Sequence, residues 1–184
     1  MRSSLGLTLL ELLSVLCIVS VLSILAFQNL PTWIASTQLT KDRNSFANLI
    51  NTARAAAIHL NHHVILCPGN TESGCARRNT WHNGAIVFAD KNRNRQYDGD
   101  DPFIAAFATI KSRIEWRSFR NRSYLKFLPT GRTDWQNGHF KFCAKSNEKK
   151  GLQLVLNAAG RLYFSHDEDD DGWHEDVRGR DLIC

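Results

Sequence analysis

Gly6-Leu7-Thr8-Leu9-Leu10-Glu11 opens an apolar run that continues to Phe27. Within that run Glu11 is the one acidic or basic side chain. A charge near the middle of a bilayer costs about 2.5–3.5 kcal/mol on insertion scales, so Glu11 calls for a partner. The run holds roughly 20 residues, enough to cross a bilayer as a helix. A secretory signal has a basic start, a shorter apolar core and a small-residue cleavage site. Here only Arg2 precedes the core, and no Ala-x-Ala follows promptly. The stretch therefore reads as a retained apolar helix with an acid in its first turns.

These residues resemble the type IV prepilin (class III) signal of pilins and pseudopilins. The resemblance implies cleavage between Gly6 and Leu7, N-methylation of Leu7, and Glu11 as the fifth residue of the processed chain. The new ammonium on Leu7 lies one helical turn from Glu11, which can meet the amine of its own chain or of a neighbour. The family usually begins its mature chain with Phe, where this chain has Leu7.

The 184 residues leave room for one anchor helix and one globular domain. A net charge of +5, one unit of it carried by Arg2, is compatible with anionic partners but also common in soluble domains. Cys17 lies inside the apolar run and reads as a small hydrophobe. The other cysteines, Cys67, Cys75, Cys143 and Cys184, read as two disulfides formed in an oxidising compartment. Three connectivities are open; proximity favours Cys67–Cys75, which leaves Cys143–Cys184 to tie down the carboxyl terminus. The spacings lack the paired C-x-x-C of a zinc knuckle.

One long helix is predicted from Leu7 to about His59, with a kink at Pro31. Beyond the proline, Leu39, Phe46, Leu49, Ile50, Ala53, Ala57 and Leu60 recur at helical spacing, with Lys41, Asp42, Arg43, Asn44, Asn48, Asn51 and Arg54 between them. After Asn61 short strands alternate with turn residues: Val64–Cys67, Gly84–Phe88, Phe103–Thr109, Arg113–Arg117, Tyr124–Leu128, His139–Cys143, Leu152–Leu156 and Arg161–Phe164. The pattern is α+β, a long helix against antiparallel sheet. Four segments follow: a leader at 1–6, a transmembrane or filament-core half-helix at 7–30, an amphipathic half at 31–60, and a β-rich domain at 61–184.

A short Cys loop, a Val-Phe strand, an Asp/Asn-rich turn, Pro129-x-Gly131-Arg132, Phe140-x-Phe142-Cys143 and a late Gly160-Arg161 resemble, in that order, the GspH/FimT/FimU group. The resemblance implies the type IV pilin fold, with two β-sheets beside the long helix. It implies a minor pilin of type IV pilus assembly, in the tip or initiation complex. The alternatives are a minor pseudopilin of type II secretion and a pilus-tip DNA receptor for natural transformation. Implied partners are other major and minor pilins or pseudopilins, the prepilin peptidase and an inner-membrane assembly platform. The implied location is a single pass through the bacterial inner membrane with a periplasmic domain, and later a place in a pilus or pseudopilus.

No nucleophile–base arrangement points to an enzyme, and His59, His62 and His63 read as helix-end histidines. Two acidic segments place oxygen ligands at the alternate positions of a calcium loop. In the first, Asp90, Asn92, Asn94 and Asp98 are offered, but Arg95 stands where such a loop wants glycine. In the second, Asp167, Asp169 and Asp171 precede Gly172; the position of the closing Glu is Arg178, and Glu175 can contribute. The expected cofactor is none, or calcium at one of these loops.

Lys111, Arg113, Arg117, Arg120, Arg122 and Lys126 interleave with Trp116, Phe119, Tyr124 and Phe127, a mixture suited to nucleic acid. Strand alternation offers a plainer account, a hairpin with aromatics inward and arginines outward. FimT-type members bind DNA through a Gly-Arg-x-Arg motif; this chain has Gly160-Arg161-Leu162-Tyr163, and Arg178 and Arg180 lie nearby among carboxylates.

Overall fold

The computed structural model describes residues 8–76, 80–119, 121–144 and 150–184, without the side chains of residues 24–29 and 32. Among the described residues one α-helix, α1 (Leu9–Leu60), leads into nine strands. The chain divides between Thr37 and Gln38 into two compact units. Pro31 lies inside α1, which continues beyond it.

In the first unit α1 is apolar on all sides, and Leu9, Leu12, Leu13, Leu16, Ile18 and Leu22 are all exposed. A helix of this kind belongs in an apolar surrounding. Three of its serine hydroxyls are satisfied within the helix: Ser14 Oγ donates to the Glu11 carbonyl, Ser20 Oγ to Cys17 and Ser23 Oγ to Val19, each at 2.8 Å. Among the described residues no helix is long and apolar enough to cross a membrane. The run between Ile24 and Phe27 falls where side chains are not described.

In the second unit the last turns of α1 bury Leu39, Phe46, Leu49, Ile50, Ala53 and Ala57 of the stripe expected from helical spacing, together with Ala47, while Leu60, at the helix end, is exposed rather than buried. Asp42 does not face solvent with the other polar residues; it is buried, accepting from Ser112 Oγ at 2.5 Å and from Gln38 Nε2 at 2.7 Å. Burial of a carboxylate requires such donors. Asn61 ends the helix with φ of 52°, the left-handed conformation that asparagine tolerates at this position.

Two sheets follow. In the first, β1 (Val64–Asn70) pairs with β3 (Ala85–Ala89) on one edge and β6 (Leu125–Phe127) on the other, and β4 (Phe103–Phe107) extends the sheet beyond β3. A two-residue strand, β2 (Gly74–Cys75), pairs with the end of β1. The strand therefore runs through Pro68-Gly69-Asn70, which the sequence suggests is a stop. Proline lacks a ladder donor and is tolerated where the pairing is thin. The second sheet has the antiparallel order β5 (Arg113–Ser118), β7 (Gly138–Cys143), β8 (Gly151–Leu156), β9 (Leu162–Phe164). Arg113–Phe127 is thus not a hairpin: β5 joins the second sheet and β6 the first.

Val64 to Pro68 are buried without alternation because both faces of β1 are covered. Val64 and Leu66 join the core with α1, while Ile65 and Cys67 pack with Ile86, Phe88, Tyr97 and Tyr124 on the other side. The main core brings both sheets onto α1. Phe46 meets the rings of Trp81 at 5.7 Å, Phe107 at 5.1 Å, Phe140 at 4.8 Å and Phe142 at 5.8 Å, all edge-on. The structure joins Cys67 to Cys75 and Cys143 to Cys184.

Phe46→Ala should lower the unfolding free energy by about 3–5 kcal/mol, whereas Phe119→Ala, on a side chain 69% exposed, should change it by less than about 0.5 kcal/mol. Urea denaturation of the full chain in detergent, followed by tryptophan fluorescence, checks both.

Candidate functional site

Gly6 and Leu7, the expected processing pair, lie outside the described residues, as does Arg120. The helix start just beyond them is described. Thr8 precedes the first helical residue, and its Oγ1 accepts the Glu11 backbone N–H at 3.3 Å while its carbonyl accepts those of Glu11 and Leu12 at 3.1 Å. Thr8-Leu9-Leu10-Glu11 has the residues of a capping box, legible in the sequence as Thr-x-x-Glu. Glu11 stands in the first turn, where the helix dipole favours an anion.

The Asp/Asn-rich turn is closed by its own side chains. Asp98 Oδ2 accepts the amides of both Asn92 and Asn94 at 2.8 Å. Asp101 is buried and caps the Lys91 N–H at 3.0 Å, and burial raises its carboxyl above the usual range. Arg95 occupies the left-handed position, φ 63°, and donates to the Tyr124 hydroxyl at 3.0 Å. Tyr97 lies 5.3 Å from Phe88, so the turn also covers the outer face of the first sheet.

The second acidic segment behaves differently. Asp167, Asp169, Asp171 and Glu175 each offer a carboxylate oxygen within 4.8 Å of the others. In chemical terms this is an all-oxygen ligand set.

The basic residues are not brought into one stripe. On β5, Ile114 and Trp116 point inward and Arg113 and Arg117 outward, with Trp116 stacked 4.2 Å from Phe140. Trp116 and Phe127 are buried and unable to stack on bases. Arg113 and Lys141 pair with Glu115 at 2.9 and 3.6 Å, and Lys126 with Asp134 at 3.6 Å. Arg122 donates to the Tyr124 hydroxyl at 2.5 Å. Arg117 lies on β5 at one edge of the second sheet and Arg161 directly precedes β9 at the other, the two edge strands being about 14 Å apart at strand spacing. Across the ladder from Arg117, burial and that guanidinium hold the His139 imidazole below its ordinary value. Arg178 is exposed, and Arg180 is fixed on Asp176.

The late Gly160-Arg161 has a packing explanation. Gly160 has φ of 75°, and a Cβ there would meet the Gly131 carbonyl oxygen at 2.3 Å. Arg54 Nε donates to that same oxygen at 3.0 Å. The Pro129-x-Gly131 turn and the Gly160 turn thus lie back to back beneath α1, and the two glycines read as a linked pair only in three dimensions.

Arg180 Nε and Nη2 donate to Asp176 Oδ2 at 3.0 and 2.5 Å, which lowers the Asp176 carboxyl to about 2. Carboxyl NMR should find a midpoint of about 2 for Asp176, and Arg180→Ala should return it towards about 3.9. Because the folded pKa is depressed, the pair's contribution to stability is present above about pH 4 and is lost as pH falls towards that midpoint.

In fold the chain is similar to the type IV minor pilin FimU of Pseudomonas aeruginosa strain PAO1, solved in two crystal forms. In the P21 form the identity is 13% over 71% of this chain and 90% of that chain, with a TM-score of 0.54. In the P65 form it is 12% over 69% and 92%, with a TM-score of 0.52. None of the curated proteins matches the chain in sequence. A family model described as type II transport protein GspH matches residues 42–160, from the buried Asp42 to the Gly160 turn. With that match covering well over half of its 184 residues, the chain belongs to the GspH family of pilin-like proteins.

Proposed function

We propose that the chain is a minor pilin that takes part in type IV pilus assembly, a structural and non-catalytic subunit of the tip or initiation complex. The observation that carries this reading is the exposed apolar helix with Glu11 in its first turn, on a chain of the GspH family. Prepilin peptidase cuts between Gly6 and Leu7, and the freed amine, N-methylated, meets Glu11 of its own chain or of a neighbouring pilin. The segment from Leu7 to Leu30 rests in the inner membrane, then moves through the assembly platform into the filament. The domain stays periplasmic, where two disulfides form. Transfer between bilayer and filament exchanges one apolar surrounding for another, so lateral packing and the Glu11 charge supply the preference.

A minor pseudopilin of type II secretion is the second reading, favoured by the description of the matching family. Deleting the gene separates the two: lost pili support the first, and lost protein secretion with intact pili the second. A DNA receptor draws less support, because the arginines are dispersed and two of the four aromatics among them, Trp116 and Phe127, are buried.

Glu11→Ala should leave leader cleavage largely intact and block incorporation into filaments. Immunoblots of sheared filaments and of cell membranes read both steps, and normal incorporation of the variant would defeat the pairing argument.

A further inference from the structure

We propose that the loop Asp167–Glu175 is a calcium site that fastens the carboxyl-terminal segment to the second sheet. The loop follows β9 and lies beyond residues 42–160, which the family model matches. It stands apart from the filament reading.

The case rests on what each carboxylate already holds. Asp167 Oδ2 accepts the Gly172 N–H at 2.8 Å, and Asp169 Oδ1 that of Asp171 at 3.3 Å. Asp171 Oδ1 accepts from Trp173 at 2.7 Å, and Glu175 Oε2 from Glu168 at 2.8 Å. One oxygen of every carboxylate is therefore committed to shaping the loop. The second oxygens have no donor among the described residues. Two of them, Asp167 Oδ1 and Glu175 Oε1, are buried without any partner, and Glu175 is only 8% exposed. A buried ionised carboxylate oxygen facing three other carboxylates is unfavourable unless a cation joins it.

No lysine or arginine among the described residues pairs with these four acids. Lys150 Nζ donates instead to the Gly172 carbonyl at 2.5 Å and lies 5.2 Å from the Trp173 ring centre. The Asp90–Asp101 turn differs in part: Asn92 and Asn94 amides supply Asp98 with donors there, and Asp90 Oδ1 is its single buried carboxylate oxygen without a partner among the described residues. Gly172, φ 85°, makes the sharp bend after the third aspartate that Arg95 makes in the other turn.

The ligand chemistry selects the ion. Four oxygens of hard carboxylates, completed by a backbone carbonyl and water, suit calcium, which takes six to eight oxygens; magnesium keeps most of its water and uses one or two carboxylates. His174, the neighbouring imidazole, is bonded through Nδ1 to Ser165. Arg178 stands where a twelve-residue loop places its bidentate Glu, and Glu175 takes over the closing role. That ligand count matches the extracellular class of site, with dissociation constants of about 10⁻⁴–10⁻³ M.

The loop is also a junction. The Glu175 N–H donates to the His166 carbonyl at 3.0 Å, and Leu182 N–H to that of His174 at 2.8 Å, leading to the Cys143–Cys184 disulfide. A bound ion would fix the segment before the disulfide as the disulfide fixes its end.

The test is calorimetric titration of the full chain in detergent with calcium chloride, repeated with magnesium chloride. The expected result is one calcium per chain with a dissociation constant of about 10⁻⁴–10⁻³ M, weaker binding of magnesium, and a higher melting temperature in calcium. Asp169→Asn and Asp171→Asn keep an oxygen for the turn and sit on exposed side chains, so the ion-free melting temperature should hold while affinity falls about tenfold or more. Asp170→Asn removes a charge from the same loop without removing a ligand, and should change affinity by less than about threefold. Absence of saturable binding at millimolar calcium would overturn the proposal. So would equal losses in Asp170→Asn and Asp169→Asn, which would reduce the loop to a diffuse counter-ion cloud.

Discussion

The edge-on packing of Phe46 against rings from both sheets is the interaction on which the domain depends. The two sheets share no continuous ladder among the described strands, and α1 is the element that both cover. Phe107 comes from one sheet, Phe140 and Phe142 from the other, and Trp81 from the turn between β2 and β3. A single ring that touches four others from separate parts of the chain makes the sheets' separate burial a cooperative event.

The parts legible in the sequence were those governed by one period. The stripe from Leu39 to Ala57 and the inward alternation of β5, with Ile114 and Trp116, follow from geometry local to one element. What escaped was set by partners distant in sequence. Pro68 looked like a stop, yet β1 passes it because β3 is paired to Pro68 through Ala85. Arg113 to Phe127 looked like a hairpin, yet its strands lie in different sheets, a matter of topology that alternation does not encode. Asp42 looked solvated until Ser112, seventy positions away, was seen to hold it.

The candidate sites divide along the same line. Glu11 and the acids of the second loop stand out as candidates within a few consecutive residues, Glu11 by its charge in an apolar run and the acids by their alternate spacing. The arginines were not, because each one's state depends on the acid or hydroxyl that the fold sets beside it. Arg180 faces Asp176, Arg122 faces Tyr124, and Lys126 faces Asp134. Composition reported a basic stretch; the structure disperses it over two sheets and a terminal segment.

The serines of the apolar helix carry a consequence for how such helices slide past one another. With Ser14, Ser20 and Ser23 bonded to carbonyls of their own helix, none has a proton left to offer a neighbour. A bundle built from this segment would have a nearly smooth axial energy profile, because apolar side chains repeat every turn and distinguish poorly between offsets one turn apart. Glu11 is the one charged side chain from Thr8 to Phe27, so the energy of its pairing alone changes steeply with axial displacement. Longitudinal registry would then be fixed at one end of the helix and merely tolerated along the rest.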